Sequence, residues 1–311
     1  MRTPRLVLVW VLGASSLLLG CKENAGTASA SAQASWTQDA ALTSFYPTAY
    51  LARRLAGGLV TVDCPVPAGE DPIFWQPTRA DLERYRSARL VILNGAEFEK
   101  WASAASLPAS RVVRTADGFK DRFLTFGTGI THSHGAAGEH SHEGIDGHTW
   151  LDPINAIEQA RAIERAMSDA WPEHAEALAT NLAALEADLT SLDSAFKALT
   201  PRLAGVKLIA SHPAYDYLAA RYGWTITNLD LDPELGLTEE AIAEVAQAIG
   251  DHEGRSVLLW ESEPSQSVYE APFASVVFSP AELAGVGTAE PAENYLSIMR
   301  ANIARLDAAL E

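Results

Sequence analysis

The chain has 311 residues, 48% of them hydrophobic, enough to bury a sizeable core without covalent staples. Forty acidic residues against 23 basic ones give a net charge of −17, which argues against nucleic acid as a partner and raises the local concentration of cations. Only two cysteines, Cys21 and Cys64, are present, so a disulfide-rich scaffold is excluded.

Arg2 and Arg5 precede an apolar run of 14 residues, Leu6 to Leu19. That is shorter than the ~20 residues a membrane-spanning helix needs, and it reads as an export signal over residues 1–20. Leu18-Leu19-Gly20-Cys21 resembles the end of a bacterial lipoprotein signal, which implies that Cys21 carries lipid. A lipidated Cys21 leaves Cys64 no intramolecular partner. Residues 21–35 are mostly Ala, Gly, Ser and Thr, too small-sided to pack a core, and read as a flexible tether.

From Ala41 short apolar runs alternate with amphipathic stretches. An apolar run over 41–44 leads to a helix over 47–56, a strand over 59–62, a helix over 79–87 and a strand over 90–93. A second series follows: strand 206–210, helix 214–222, strand 225–228, helix 238–249, strands 257–260 and 275–278, and a terminal helix over 291–310. Strands separated by helices predict parallel sheets, hence an α/β fold of two lobes, each a mostly parallel sheet flanked by helices. Between them Leu178, Leu182, Leu185, Leu189, Leu192, Phe196 and Leu199 recur every three or four residues, predicting one long rigid helix over 172–200 that joins the lobes. The expected boundaries are an N-terminal lobe over 36–155, a helical linker over 156–203 and a C-terminal lobe over 204–311.

Five of the eight histidines fall in one loop over 131–148: His132, His134, His140, His142 and His148. Histidine is the commonest metal-binding side chain, and such clustering among Gly, Ser and Glu has no packing rationale. His148 adjoins apolar Trp150-Leu151 and so has the firmest anchor. His212 follows the strand 206–210 where a helix was expected to begin, and Glu261 directly follows the strand 257–260. Both therefore stand beyond the carboxyl ends of strands, where open parallel sheets bind ligands. Glu263 is a second choice for the oxygen. Imidazoles with a carboxylate suit zinc better than calcium or magnesium, and manganese if carboxylates dominate. No Gly-x-Ser-x-Gly elbow, His-Glu-x-x-His helix or Gly-rich phosphate loop is present, so binding rather than catalysis is expected. A metallohydrolase with an open zinc position is the enzymatic alternative.

Phe45-Tyr46-Pro47, Asp71-Pro72, Pro77-Thr78, Asn94-Gly95-Ala96-Glu97, the His-rich loop, His148-Thr149-Trp150-Leu151-Asp152-Pro153, Ser211-His212-Pro213 and Tyr295 to Arg300 follow one another in this order. Together they resemble the zinc- and manganese-binding lipoproteins of bacterial metal ABC importers. The resemblance implies a monomer held at a bacterial membrane by its N-terminal lipid. Zinc, or manganese, would be clasped between the lobes as cargo and handed to an ABC permease and its ATPase. Family ligands carry over at His148 and His212. Two usual ligand positions are substituted, by Ile73 after Asp71-Pro72 and by Ser279 before Pro280. His140 or His142 from the loop, with Glu261 or Glu263, would fill the shell. Otherwise Ile73, Phe74 and Trp75 would line an apolar crevice for a small organic ligand, or the protein would act as a surface zinc buffer.

Overall fold

The computed structural model describes residues 37–67, 69–126, 130–133, 139–142, 144–271, 273–282 and 293–311. The expected signal, the tether and lipidated Cys21 lie outside the described residues, as does His134. Among the described residues no helix is long and apolar enough to cross a membrane.

The first sheet contains β1 (Ala40–Thr43), β2 (Thr61–Asp63), β3 (Leu90–Leu93) and β4 (Val112–Arg114), all parallel, in the order β2-β1-β3-β4. The second contains β7 (Lys207–Ala210), β8 (Ile226–Asn228), β9 (Ser256–Trp260) and β10 (Ala274–Val277), again all parallel, in the order β10-β9-β7-β8. Parallel strands covered on both faces read as unbroken apolar runs, and Leu90-Val91-Ile92-Leu93 is buried throughout. Its residues alternate between two cores: Leu90 and Ile92 join the large central cluster, while Val91 and Leu93 join a second one with Trp75, Tyr85 and Trp101. β5 (Ile130–Ser133) and β6 (Glu139–His142) form a separate antiparallel ribbon in which His132 pairs with His140.

Helices α1 (Tyr46–Ala56), α2 (Arg79–Ser87), α3 (Pro153–Ala170), α4 (Ala175–Leu199), α5 (Asp216–Tyr222), α6 (Glu239–Ile249) and α7 (Tyr295–Ala308) complete the architecture. The expected two-lobed α/β fold is what the chain adopts. α4 packs against α1 of the first half, α7 of the second and α3 between them. Its seam is buried at Leu178, Leu185, Leu189, Leu192, Phe196 and Leu199, with Leu182 partly covered. One continuous apolar cluster therefore runs from the first sheet across α4 to the second.

Several expected boundaries move for local reasons. The strand expected over 59–62 starts at Thr61, because Gly57 (φ 55°) and Gly58 (φ 84°) turn the chain out of α1 and leave Leu59 exposed. The long helix starts at Ala175, since Pro172–His174 forms a 3-10 turn. α7 starts at Tyr295, where Asn294 and Ser297 form a capping box. β4 was missed because three residues at a sheet edge leave almost no periodic signal.

Candidate functional site

The carboxyl ends of β7, β9 and β10, which lie side by side, carry His212, Glu261 and Glu282, while His148 comes from the loop between the ribbon and α3. The His148 and His212 rings stand edge to face with centroids 5.8 Å apart. His212 Nδ1 is 3.6 Å from Glu261 Oε2, and His148 Nε2 is 2.8 Å from Glu282 Oε1. His148 is wholly buried, and the Glu261 side chain is 17% exposed. Three of the residues expected at the site, His148, His212 and Glu261, are thus brought together by elements distant in sequence.

His148 is fixed from several directions. Asn94, just past β3, donates to the Gly147 carbonyl (2.9 Å) and accepts from the Thr149 hydroxyl (3.1 Å). The buried Glu99 carboxylate accepts from the Asn94 (2.6 Å) and Gly95 (3.1 Å) amides and from the Ser44 hydroxyl. Asn94, Gly95 and Glu99 are therefore the platform beneath the His148 loop. Gly147 is required by close approach, since a Cβ there would sit 2.8 Å from Phe98 Cδ2. On the far side the Trp150 indole donates to the Pro280 carbonyl (2.8 Å) and the Tyr295 hydroxyl to the Trp150 carbonyl (2.7 Å), tying this loop to the segment that bears Glu282.

Glu282 was missed by sequence reasoning. Ser279, which the resemblance sets at a ligand position, shapes a turn: its hydroxyl accepts from the Ala281 amide (3.2 Å), and Asn302 brackets its backbone on both sides. Ala281 adopts φ 63°, a left-handed conformation uncommon for a residue with a Cβ, and the next residue enters the cluster. A signal was available only as a carboxylate three residues beyond the substituted position.

The electrostatics follow from burial. Burial lowers the affinity of His148 for its second proton, but the Glu282 and Asp146 carboxylates outweigh it and push the ring up to about 10. Burial pushes Glu261 up to about 8, helped by the nearby charges of Glu282 and Asp71. His148 Nε2 and Glu282 Oε1, 2.8 Å apart in the buried cluster, form an ion-pair contact across which the two groups hold each other. As they stand, no three His, Cys, Asp or Glu side chains among the described residues are spaced to hold one ion. An ion entering here would have to part His148 from Glu282.

Other expectations are corrected. His212 does not open a helix: Pro213, Ala214 and Tyr215 separate it from α5. Glu263 is exposed, and its carboxylate accepts from Tyr269 (2.9 Å). Ile73 is buried in the central cluster, whereas Trp75 packs on the opposite side against Tyr85 and edge-on to Trp101 (5.8 Å), so the two do not line one apolar crevice. The ribbon places His132, His140 and His142 by backbone register only, and the side chains of His140 and His142 lie outside what is described.

The family model described as "zinc-uptake complex component A periplasmic" matches residues 42–309. The zinc-binding lipoprotein AdcA of Streptococcus pneumoniae is 26% identical over 275 residues, covering 85% of this chain and 54% of AdcA. The chain thus spans about half the length of the first curated relatives it matches. The high-affinity zinc uptake system protein ZnuA of Bacillus subtilis is 25% identical over 314 residues, covering 95% of this chain and 94% of that protein. Among solved structures, the metal-dependent lipoprotein YcdH of Bacillus subtilis superimposes with a TM-score of 0.71 at 22% identity over 86% of this chain and 97% of that one, which shows a shared fold. With the match running across both sheets and through every helix up to α7, this chain belongs to the ZnuA family of periplasmic zinc-uptake components.

Proposed function

We propose that this protein is a lipid-anchored solute-binding protein that captures a divalent transition metal, zinc in preference to manganese, and delivers it to an ABC importer at a bacterial membrane. Its action is binding and release, with no bond chemistry. The observation that carries this reading is that two imidazole–carboxylate pairs from separate elements, His148–Glu282 and His212–Glu261, lie side by side with the two rings edge to face. Two nitrogen and two oxygen donors suit a four-coordinate zinc ion, and a carboxylate binding through both oxygens would accommodate manganese. In this reading the ion replaces the His148–Glu282 contact, and Glu282 takes the place that Ser279 has vacated. His140 and His142 of the ribbon are auxiliary ligands that collect the ion. Cys21 carries the lipid, and relatives named for zinc binding and for zinc uptake support the transport role.

Calorimetric titration of zinc and manganese into the full chain tests it. One tight zinc site is expected in the wild type and in Ser279→Ala. Glu282→Ala should weaken it by roughly 10- to 100-fold, and the double variant His148→Ala with His212→Ala should abolish it. Unchanged binding in the double variant overturns the reading.

A further inference from the structure

Asp146 is fully buried and lies two residues before His148. Its Oδ1 stands 2.6 Å from His148 Nδ1 and also accepts from the His148 amide (2.9 Å), so one oxygen fixes both the ring and the backbone of the same residue. Its own backbone is held from two sides. The Asp146 amide donates to the Leu124 carbonyl (2.8 Å), and its carbonyl accepts from the Tyr217 hydroxyl (3.0 Å). Tyr217 sits on α5, five residues past His212, and also accepts from the Leu124 amide (3.1 Å). The segment bearing one imidazole is thereby strapped to the element that follows the other.

A histidine ring presents only one nitrogen to a ligand when its second nitrogen is engaged, and the partner of that second nitrogen sets which one. Here the choice is settled by position: Nδ1 faces Asp146 and Nε2 faces Glu282 and the interior of the cluster. We infer that Asp146 is a positioning residue, outside the ligand set, that keeps a proton on His148 Nδ1 and commits Nε2 to the metal. Tyr217 keeps Asp146 in register with His212. This inference rests on the metal-binding reading of the site, but the geometry of the ring has a readout of its own.

The test combines zinc titration with nitrogen-15 and proton NMR of the His148 ring in the full chain. The wild type, with and without zinc, is expected to show a far-downfield, slowly exchanging Nδ1 proton. Asp146→Ala should lose that signal and weaken zinc by about 10- to 100-fold. Asp146→Asn, which keeps the acceptor oxygen and removes the charge, should retain an Nδ1 proton at a less downfield position and recover part of the affinity. A wild-type ring without an Nδ1 proton overturns the inference, as does Asp146→Ala with unchanged ring signals and a zinc Kd within about twofold. If the wild type takes up no zinc, the metal reading fails, and loss of the Nδ1 proton in Asp146→Ala with its retention in Asp146→Asn still decides the positioning role. Should Asp146→Ala not fold, the wild-type spectrum and Asp146→Asn carry the test.

Discussion

At the scale of single residues, the site is governed by competition between protons and an ion. His148 is pushed up to about 10 by its two carboxylate neighbours against the opposing effect of burial, and Glu261 is pushed up to about 8 by burial and the charges of Glu282 and Asp71. A free imidazole would lose its proton near ~6.5, and metal affinity would then level off above neutrality. In this cluster both groups hold protons at pH 7, and each must release one before it can bind metal. Zinc affinity is therefore expected to keep rising with pH from 6 through at least 8. Calorimetry at pH 7 in buffers of different ionisation enthalpy should count about two protons released per ion. An affinity flat above pH 7 with no proton release would contradict these protonation states. The placing of His212 and Glu261 was legible because each follows an apolar strand whose carboxyl end faces a crevice, and His148 stood out through its anchor beside Trp150-Leu151. Glu282 was not: it reaches the cluster through the left-handed turn at Ala281, and nothing in Ser279-Pro280-Ala281-Glu282 announces such a turn on an alanine.

At the scale of elements, burial pattern decided what could be read. The runs Leu90 to Leu93 and Val257 to Trp260 are continuous because helices cover both faces of their sheets, and they were recognisable for that reason. The α4 seam was equally plain. Short edge strands such as β4, and the turn that Gly57 and Gly58 impose before β2, depend on neighbours that sequence periodicity does not contain. Because α4 packs against both α1 and α7, its core residues stabilise the two halves together. Leu189→Ala, at a fully buried position, should cost about 2–5 kcal/mol and lower Tm by on the order of 10 °C in a single calorimetric transition. Two separate transitions with only one shifted would show that the halves do not share a core.

At the scale of the whole molecule, two parallel four-stranded sheets share one apolar cluster that runs across α4, and the chain carries a net charge of −17. Such a field draws cations of any kind, so selection has to come from the buried donors. Under the proposed function that selection falls to His148, His212, Glu261 and Glu282, held by the Asn94 platform on one side and the Ser279–Ala281 turn on the other. The resemblance in motif order pointed to the right family even though individual ligand positions had changed. What it did not reveal was the contact that Glu282, three positions past Ser279, makes with His148.

A crystal structure of the protein grown with zinc, with the ion located by anomalous scattering, decides whether the four side chains hold one ion. One strong peak is expected about 2.0–2.2 Å from His148 Nε2, a His212 ring nitrogen and oxygens of Glu261 and Glu282. A cluster left with His148 and Glu282 in contact, and zinc found only on the His132–His142 ribbon, would contradict it.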